Sequence, residues 1–152
     1  MDQQKDIQVF LLLVTLSYLG AQTVTQTTQT TTWNSQSSDL AVDGNTSSCS
    51  KTGFHFTPEL TVTLDAIYDI NSVYVFGDAA LPNLRIAVND NVSLNSRVCS
   101  HWIKGPVPIQ NGLNFSCASG MTVPRGSEVS LSSTVNTAGQ QLTICDLKIN
   151  GS

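Results

Sequence analysis

Charge is scarce in this chain. Only 7 lysines and arginines stand against 11 aspartates and glutamates in 152 residues, for a formal net charge of −4. No basic stripe of the kind that neutralises phosphates is present, so a nucleic-acid partner is not expected. Histidine is equally sparse, with only His55 and His101, and neither lies in a nucleophile or metal motif such as G-x-S-x-G or H-E-x-x-H. Asp65, Asp69 and Asp78 fall in predicted turns and form no recognisable pair for acid–base work on a glycosidic bond; catalysis is not expected. The four cysteines, Cys49, Cys99, Cys117 and Cys145, contain no C-x-x-C pair, which leaves a zinc site little support. Beyond the N-terminal run no segment keeps helical periodicity for more than about two turns, and no internal repeat is visible.

What is present points to export. Val9-Phe-Leu-Leu-Leu-Val14-Thr-Leu16-Ser-Tyr-Leu19 followed by Gly20-Ala21 has the order of a secretory signal peptide and is shorter than the roughly 20 residues that span a bilayer. Cleavage after Ala21 is expected, with an uncleaved anchor as the alternative, leaving residues 22–152 as one domain. An even cysteine count behind such a leader reads as disulfides, and spacing alone leaves all three pairings open. Sequons begin at Asn45, Asn91, Asn114 and Asn150, of which Asn91 and Asn114 are the expected glycan carriers. His55, between Phe54 and Phe56, is expected to face solvent, and His101-Trp102 to pack as a loop on a disulfide. Leu81-Pro82 and Trp102-Ile103 could be membrane spikes; burial is preferred for both, because no basic cluster flanks them.

Period-two alternation recurs in Leu60–Leu64, Ile70–Val75, Leu84–Val88, Val129–Leu131 and Leu142–Ile144, with turn-rich pieces at Gly77–Asn83, Asn89–Asn91 and Lys104–Pro108. The fold class this implies is all-β, an antiparallel sandwich. Gln22–Thr32 reads as an edge strand or frayed lead-in, and Trp33 as a core anchor. The apolar phase changes across Cys145-Asp146, which requires a bulge. Leu40-Ala-Val-Asp43-Gly-Asn45-Thr-Ser-Ser48-Cys49 reads as a short strand entering an Asp-Gly turn. Its clustered oxygens suit a hard cation, or they hydrogen-bond their own backbone as such turns often do.

The chain resembles the F-type lectins, the fucolectin group of the discoidin-like jelly rolls. The residues that carry the resemblance are Thr28-Gln29, Leu40-Ala-Val-Asp43-Gly-Asn45, Ser48-Cys49-Ser-Lys51-Thr52, Pro58…Val62-Thr-Leu64, Ile70-Asn-Ser-Val73 and Leu142-Thr-Ile-Cys145-Asp146-Leu-Lys-Ile149, over about residues 25 to 150. It implies disulfides Cys49–Cys145 and Cys99–Cys117. It implies Ca²⁺ held by the Leu40 and Cys145 carbonyls with Asp43, Asn45, Ser48 and Asp146, although the loop from Asp43 to Cys49 is shorter than is usual in the family. It also implies glycans, fucosylated ones among them, on cell or microbial surfaces as partners, with homo-oligomer formation left open.

At the sugar site the chain departs from the family pattern. Lys51 stands where these lectins have histidine, and Phe76 and Asn83 stand near the places of two arginines. Ala79-Ala80 replaces paired cysteines, and only Asp78 matches. Arg85 lies one residue past the second arginine position and therefore faces the other side of an alternating strand. Two expectations follow: a secreted lectin of altered specificity using Lys51, Asp78, Asn83, Phe76 and Arg85, or a lectin fold that serves as an interaction or adhesion module without sugar.

Overall fold

A computed structural model describes residues 22–90, 96–117, 122–134 and 139–152; residues 1–21, the expected leader, and Asn91 lie outside them. One long strand, β3 (Glu59–Phe76), decides the architecture. In its first half Leu60, Val62 and Leu64 alternate with half-buried threonines, and in its second half Ile70, Val73 and Val75 are buried. Between the halves Asp65, Ala66 and Ile67 are exposed, and the register slips between Thr63 and Tyr68. The strand bends there and passes from one sheet to the other, as corner strands do. Across the bend the Tyr68 hydroxyl donates to Asp65 Oδ1 at 2.9 Å. The two strands expected at 60–64 and 70–75 are thus one, and Asp65 and Asp69 lie in it rather than in turns. Alternation fails at the corner, which is why the pattern reads as two pieces.

The first half of β3 lies between β1 (Val24–Gln29) and β7 (Arg125–Ser132), and the sheet continues through β4 (Leu81–Asn89) to β5 (Ser96–Val107), antiparallel throughout. The second half lies between β6 (Leu113–Ser116) and β9 (Asp146–Gly151), again antiparallel. Leu84, Ile86 and Val88 of β4 and Val129 and Leu131 of β7 share one core with Ile70, Val73, Val75 and Leu147. Burying each such side chain contributes about 1.5–3 kcal/mol. The all-β sandwich expected from sequence is present, and β1 is its edge strand.

Both disulfides implied by the resemblance form. Cys99–Cys117 ties β5 of the first sheet to the residue after β6 of the second, and Cys49–Cys145 ties the residue before β2 (Ser50–Lys51) to the break between β8 (Thr143–Ile144) and β9. The expected bulge lies at that break. The Cys145 N–H donates to the Phe76 carbonyl at 2.8 Å while Asp146 is the register partner of the same Phe76, so two residues oppose one.

Several local expectations need correction. Ser38–Ala41 is a short 3-10 helix rather than a strand, buried only through Ala41. The Lys104-Gly-Pro106 piece is strand, because β5 runs on to Val107 with Gly105 at φ +85°. His101 and Trp102 therefore lie on a strand, not a loop, and Trp102 is 40% exposed while Ile103 packs on the core. Leu81 is buried, as preferred, and Pro82 is exposed. Trp33 is no core anchor. The chain reverses after it through two consecutive left-handed residues, Asn34 (φ +47°) and Ser35 (φ +63°), and leaves the indole 40% exposed. Asn114 is exposed, on β6 rather than in a loop.

Candidate functional site

The site is built on the short ribbon of β2 and β8, where Lys51 pairs with Thr143. The ribbon extends beyond both strands. The Thr52 N–H donates to the Leu142 carbonyl (3.0 Å), the Leu142 N–H donates to Thr52 Oγ1 (2.9 Å), and His55 and Gln140 exchange backbone hydrogen bonds of 3.0 and 2.9 Å. His55 is accordingly half-buried, with Nδ1 accepting the Thr57 N–H, rather than turned fully to solvent. Against this ribbon lies the turn Gly77–Ala80 that joins β3 to β4. A Cβ on Gly77 would meet the Thr143 carbonyl oxygen and Ile109 Cδ1 at 2.5 Å each, so only glycine lets the turn approach so closely. Gly77→Ala is expected to cost about 1–3 kcal/mol through overpacking, measured by urea unfolding. Wild-type stability in that variant would show that the turn does not rest on β8.

Ribbon and turn enclose an open cavity of about 390 Å³ lined by Lys51, Asp78, Ala79–Pro82, Gln140, Gln141 and Thr143. Lys51 and Asp78, two of the five sugar-site residues expected from sequence, meet there. No ion pair joins them, and neither side chain has a hydrogen-bond partner among the described residues. The wall from Ala79 to Pro82 is apolar. Two further side chains were not foreseen: Gln140 Oε1 and Gln141 Nε2 are buried atoms without a hydrogen-bond partner, two of the three such atoms among the described residues. A buried amide end left unpaired costs about 1–3 kcal/mol, so both glutamines of the cavity lining sit there at a cost in stability. The only advance signal was a Gln-Gln pair directly before the closing strand.

The other three expected residues are occupied elsewhere. Asn83 clamps β4 to the segment after β7: its Oδ1 accepts the Thr134 N–H at 2.8 Å and the Ser133 hydroxyl at 3.2 Å, and its Nδ2 donates to the Thr134 carbonyl at 2.6 Å. Phe76 is half-buried in the β3–β9 pairing. Arg85 lies opposite Ser132 across β4 and β7, and none of the three lines the cavity. Strand alternation separates Arg85, and the hydrogen-bonding capacity of Asn83 is consumed by the backbone.

The Asp43 loop was expected to be a cation site or a self-bonded turn, and its hydrogen bonds are those of the second. Asp43 Oδ1 accepts the Asn45 N–H at 2.8 Å and Oδ2 the Ser48 hydroxyl at 2.5 Å, while Asn45 Oδ1 accepts the Ser47 N–H at 3.0 Å. Gly44 takes the positive φ (+76°) of the Asp-Gly turn. The Ser48 hydroxyl, and after it the Asn45 N–H, hold the Asp43 carboxyl below its usual range. The buried Asp146 carboxylate is 3.0 Å from Lys148 Nζ, and that hydrogen bond raises the lysine's pKa. Among the described residues no three His, Cys, Asp or Glu side chains gather as a metal group. The donors are all oxygen, as calcium requires, but Lys148 competes for the one buried carboxylate.

No protein-family profile matches the chain, and no curated protein matches it in sequence. Solved structures do match. An F-type lectin from striped bass (Morone saxatilis) serum superposes with a TM-score of 0.69 at 21% identity over 84% of this chain, which spans 45% of the bass lectin. A fucose-binding module of Streptococcus pneumoniae gives 0.66 at 17% identity, covering 84% of this chain and 91% of the module. A family 32 carbohydrate-binding module of Clostridium perfringens, solved with galactose, gives 0.66 at 13% identity, covering 86% and 99%. The chain therefore has the jelly-roll fold shared by F-type lectins and discoidin-like carbohydrate-binding modules.

Proposed function

We propose that the protein binds carbohydrate in the cavity between Lys51, Asp78, Gln140 and Gln141. The observation that carries this is that the unpaired Lys51 ammonium and Asp78 carboxylate line one open cavity together with the Gln140 and Gln141 side chains. A sugar hydroxyl both donates and accepts, so a lining that combines an ammonium donor, a carboxylate acceptor and two amides, each able to do both, suits a polyol, whereas Asp78 would repel an anion. The apolar Ala79–Pro82 side offers contact to a ring's C–H face. Small-molecule sites of this size, apolar with a few convergent polar groups, are common. With Phe76, Asn83 and Arg85 outside the cavity, ordinary fucose recognition is not supported, and galactose-type and other hexoses are candidates alongside fucose. Saturation-transfer NMR with free fucose, galactose, mannose and N-acetylglucosamine tests the proposal: at least one gives transfer that Lys51→Ala removes, and transfer from none to a folded protein contradicts it.

Two disulfides need an oxidising compartment, and among the described residues no helix is long and apolar enough to cross a membrane. Both are compatible with secretion and with glycan partners on cell or microbial surfaces. We also propose calcium for the Asp43 loop, held by Asp43, Asn45, Ser48, Asp146 and the Leu40 and Cys145 carbonyls, with the ion bracing the loop rather than touching sugar. At about ten times its dissociation constant it would add ~1.4 kcal/mol and raise Tm by roughly 3–6 °C. Lys148→Met should enlarge the rise. An identical Tm in calcium and in chelator would remove calcium from the account.

A further inference from the structure

Three aromatic rings beside the cavity have no structural task. Phe54 is 65% and Phe56 62% exposed, and Trp33 meets Phe54 edge-on with ring centroids 5.9 Å apart and planes at 84°. They are joined to the cavity by its own backbone. The Trp33 N–H donates to the Lys51 carbonyl at 2.9 Å, and Phe54 and Phe56 flank His55, whose backbone pairs with Gln140. A Cβ added to Gly139 would lie 3.1 Å from the Phe54 Cβ, so the segment that carries Gln140 runs directly against Phe54. Lys51 and Gln140 thus face the cavity while their backbones hold the rings.

The surroundings of the rings favour one kind of occupant. Their immediate chain neighbours are Thr32, Asn34, Gly53, His55 and Thr57, with no lysine, arginine, carboxylate or large aliphatic side chain next to a ring. A membrane-inserting tip would need basic flanks for anionic lipid, and a protein-docking patch of this kind usually carries aliphatic or arginine anchors. Aromatic faces are electron-rich and attract C–H edges, and the C–H face of a pyranose presents such edges above a ring of hydroxyls. The chain turns directly after the 40% exposed Trp33 through the left-handed residues Asn34 and Ser35; non-glycine residues in that conformation are uncommon and concentrate in turns and at functional sites.

We infer that Trp33, Phe54 and Phe56 form a second subsite, on which the next residue of an oligosaccharide stacks when its terminal sugar occupies the Lys51–Gln141 cavity. The inference rests on the cavity being a sugar site, and it makes the ligand a chain of at least two sugars rather than a monosaccharide.

The test uses the full chain in a Trp102→Phe background, which leaves Trp33 as its only tryptophan, against an array that pairs each terminal monosaccharide with its di- to tetrasaccharide extensions. Phe54→Ala and Phe56→Ala, at exposed positions, are expected to keep the wild-type Tm and monosaccharide binding while weakening oligosaccharide binding about tenfold. Trp33 emission should shift to the blue on saturation with the bound oligosaccharide and stay unchanged with the monosaccharide. Unaltered oligosaccharide affinity in both phenylalanine variants, with an unmoved Trp33 spectrum, overturns the subsite while Gln141→Leu still abolishes binding and so upholds the cavity. Oligosaccharide binding that survives Gln141→Leu, or no binding to any glycan by the folded parent, overturns the cavity and the subsite together.

Discussion

Replacing the Cys49–Cys145 bridge with two alanines should lower unfolding free energy by about 4–5 kcal/mol, the value the chain-entropy account gives for a closed loop of about a hundred residues. The bridge spans 96 positions. Net stabilities of single domains run to about 5–15 kcal/mol, so this one change would leave the fold marginal. Cys99–Cys117 spans only 18 positions, and its loss should cost about 3 kcal/mol on the same account. The larger bridge also bears on function, because Cys145 is two residues from Thr143 on the cavity wall and next to the bulge that turns β8 into β9. Binding should fall together with stability. Urea unfolding of Cys49→Ala/Cys145→Ala gives the number. A loss below about 1 kcal/mol would mean that the sandwich and not the bridge holds the ribbon in place.

Gln141→Leu is expected to separate binding from stability. In the free protein Gln141 Nε2 is buried and unpaired, and an apolar side chain of similar size removes that penalty, so stability should hold or rise by about 1 kcal/mol. Sugar binding should fall at least tenfold, because an amide able to donate and to accept is lost from the cavity lining. Lys51→Ala should weaken binding by about 10- to 100-fold, since a hydrogen bond from a charged donor contributes roughly 1.5–3 kcal/mol, with stability within about 0.5 kcal/mol of wild type. A residue kept at a cost in stability and lost with a gain is the signature of a functional position. Calorimetric titration with the best-bound glycan, beside thermal unfolding, reads both quantities. A destabilised Gln141→Leu would show the amide to be structural after all.

The fold was legible because its strands obey period-two patterning, while the cysteine pairing that the structure shows came from the family resemblance and not from spacing. Leu60–Leu64, Leu84–Val88 and Val129–Leu131 each appear as strands, and the phase change at Cys145 marks a real bulge. What patterning could not convey was continuity. The exposed Asp65-Ala66-Ile67 corner interrupts alternation without ending the strand, and Gly105 and Pro106 look like a turn yet sit in β5. Half of the cavity was also visible. Lys51 and Asp78 were placed by resemblance and do meet. Arg85 falls outside by the strand phase that its position one residue along already implied, whereas Asn83 is taken by backbone hydrogen bonding, which a linear sequence does not display. Gln140 and Gln141 were missed because glutamine carries no motif, and its importance arises only when burial leaves an amide end without a partner. Trp33 illustrates the same limit. A tryptophan after a polar lead-in suggests a core anchor, and only the left-handed pair that follows turns it outward.

Whether the Lys51–Gln141 cavity is a sugar site is decided by a glycan array probed with the multimerised chain and its Gln141→Leu variant, with and without chelator. The wild-type chain is expected to bind one defined glycan class and to lose that binding in Gln141→Leu, although that variant is folded and at least as stable. Absence of binding by a folded, multimerised wild-type chain, or equal binding by the variant, would contradict it and leave a lectin fold whose partners are to be sought among proteins.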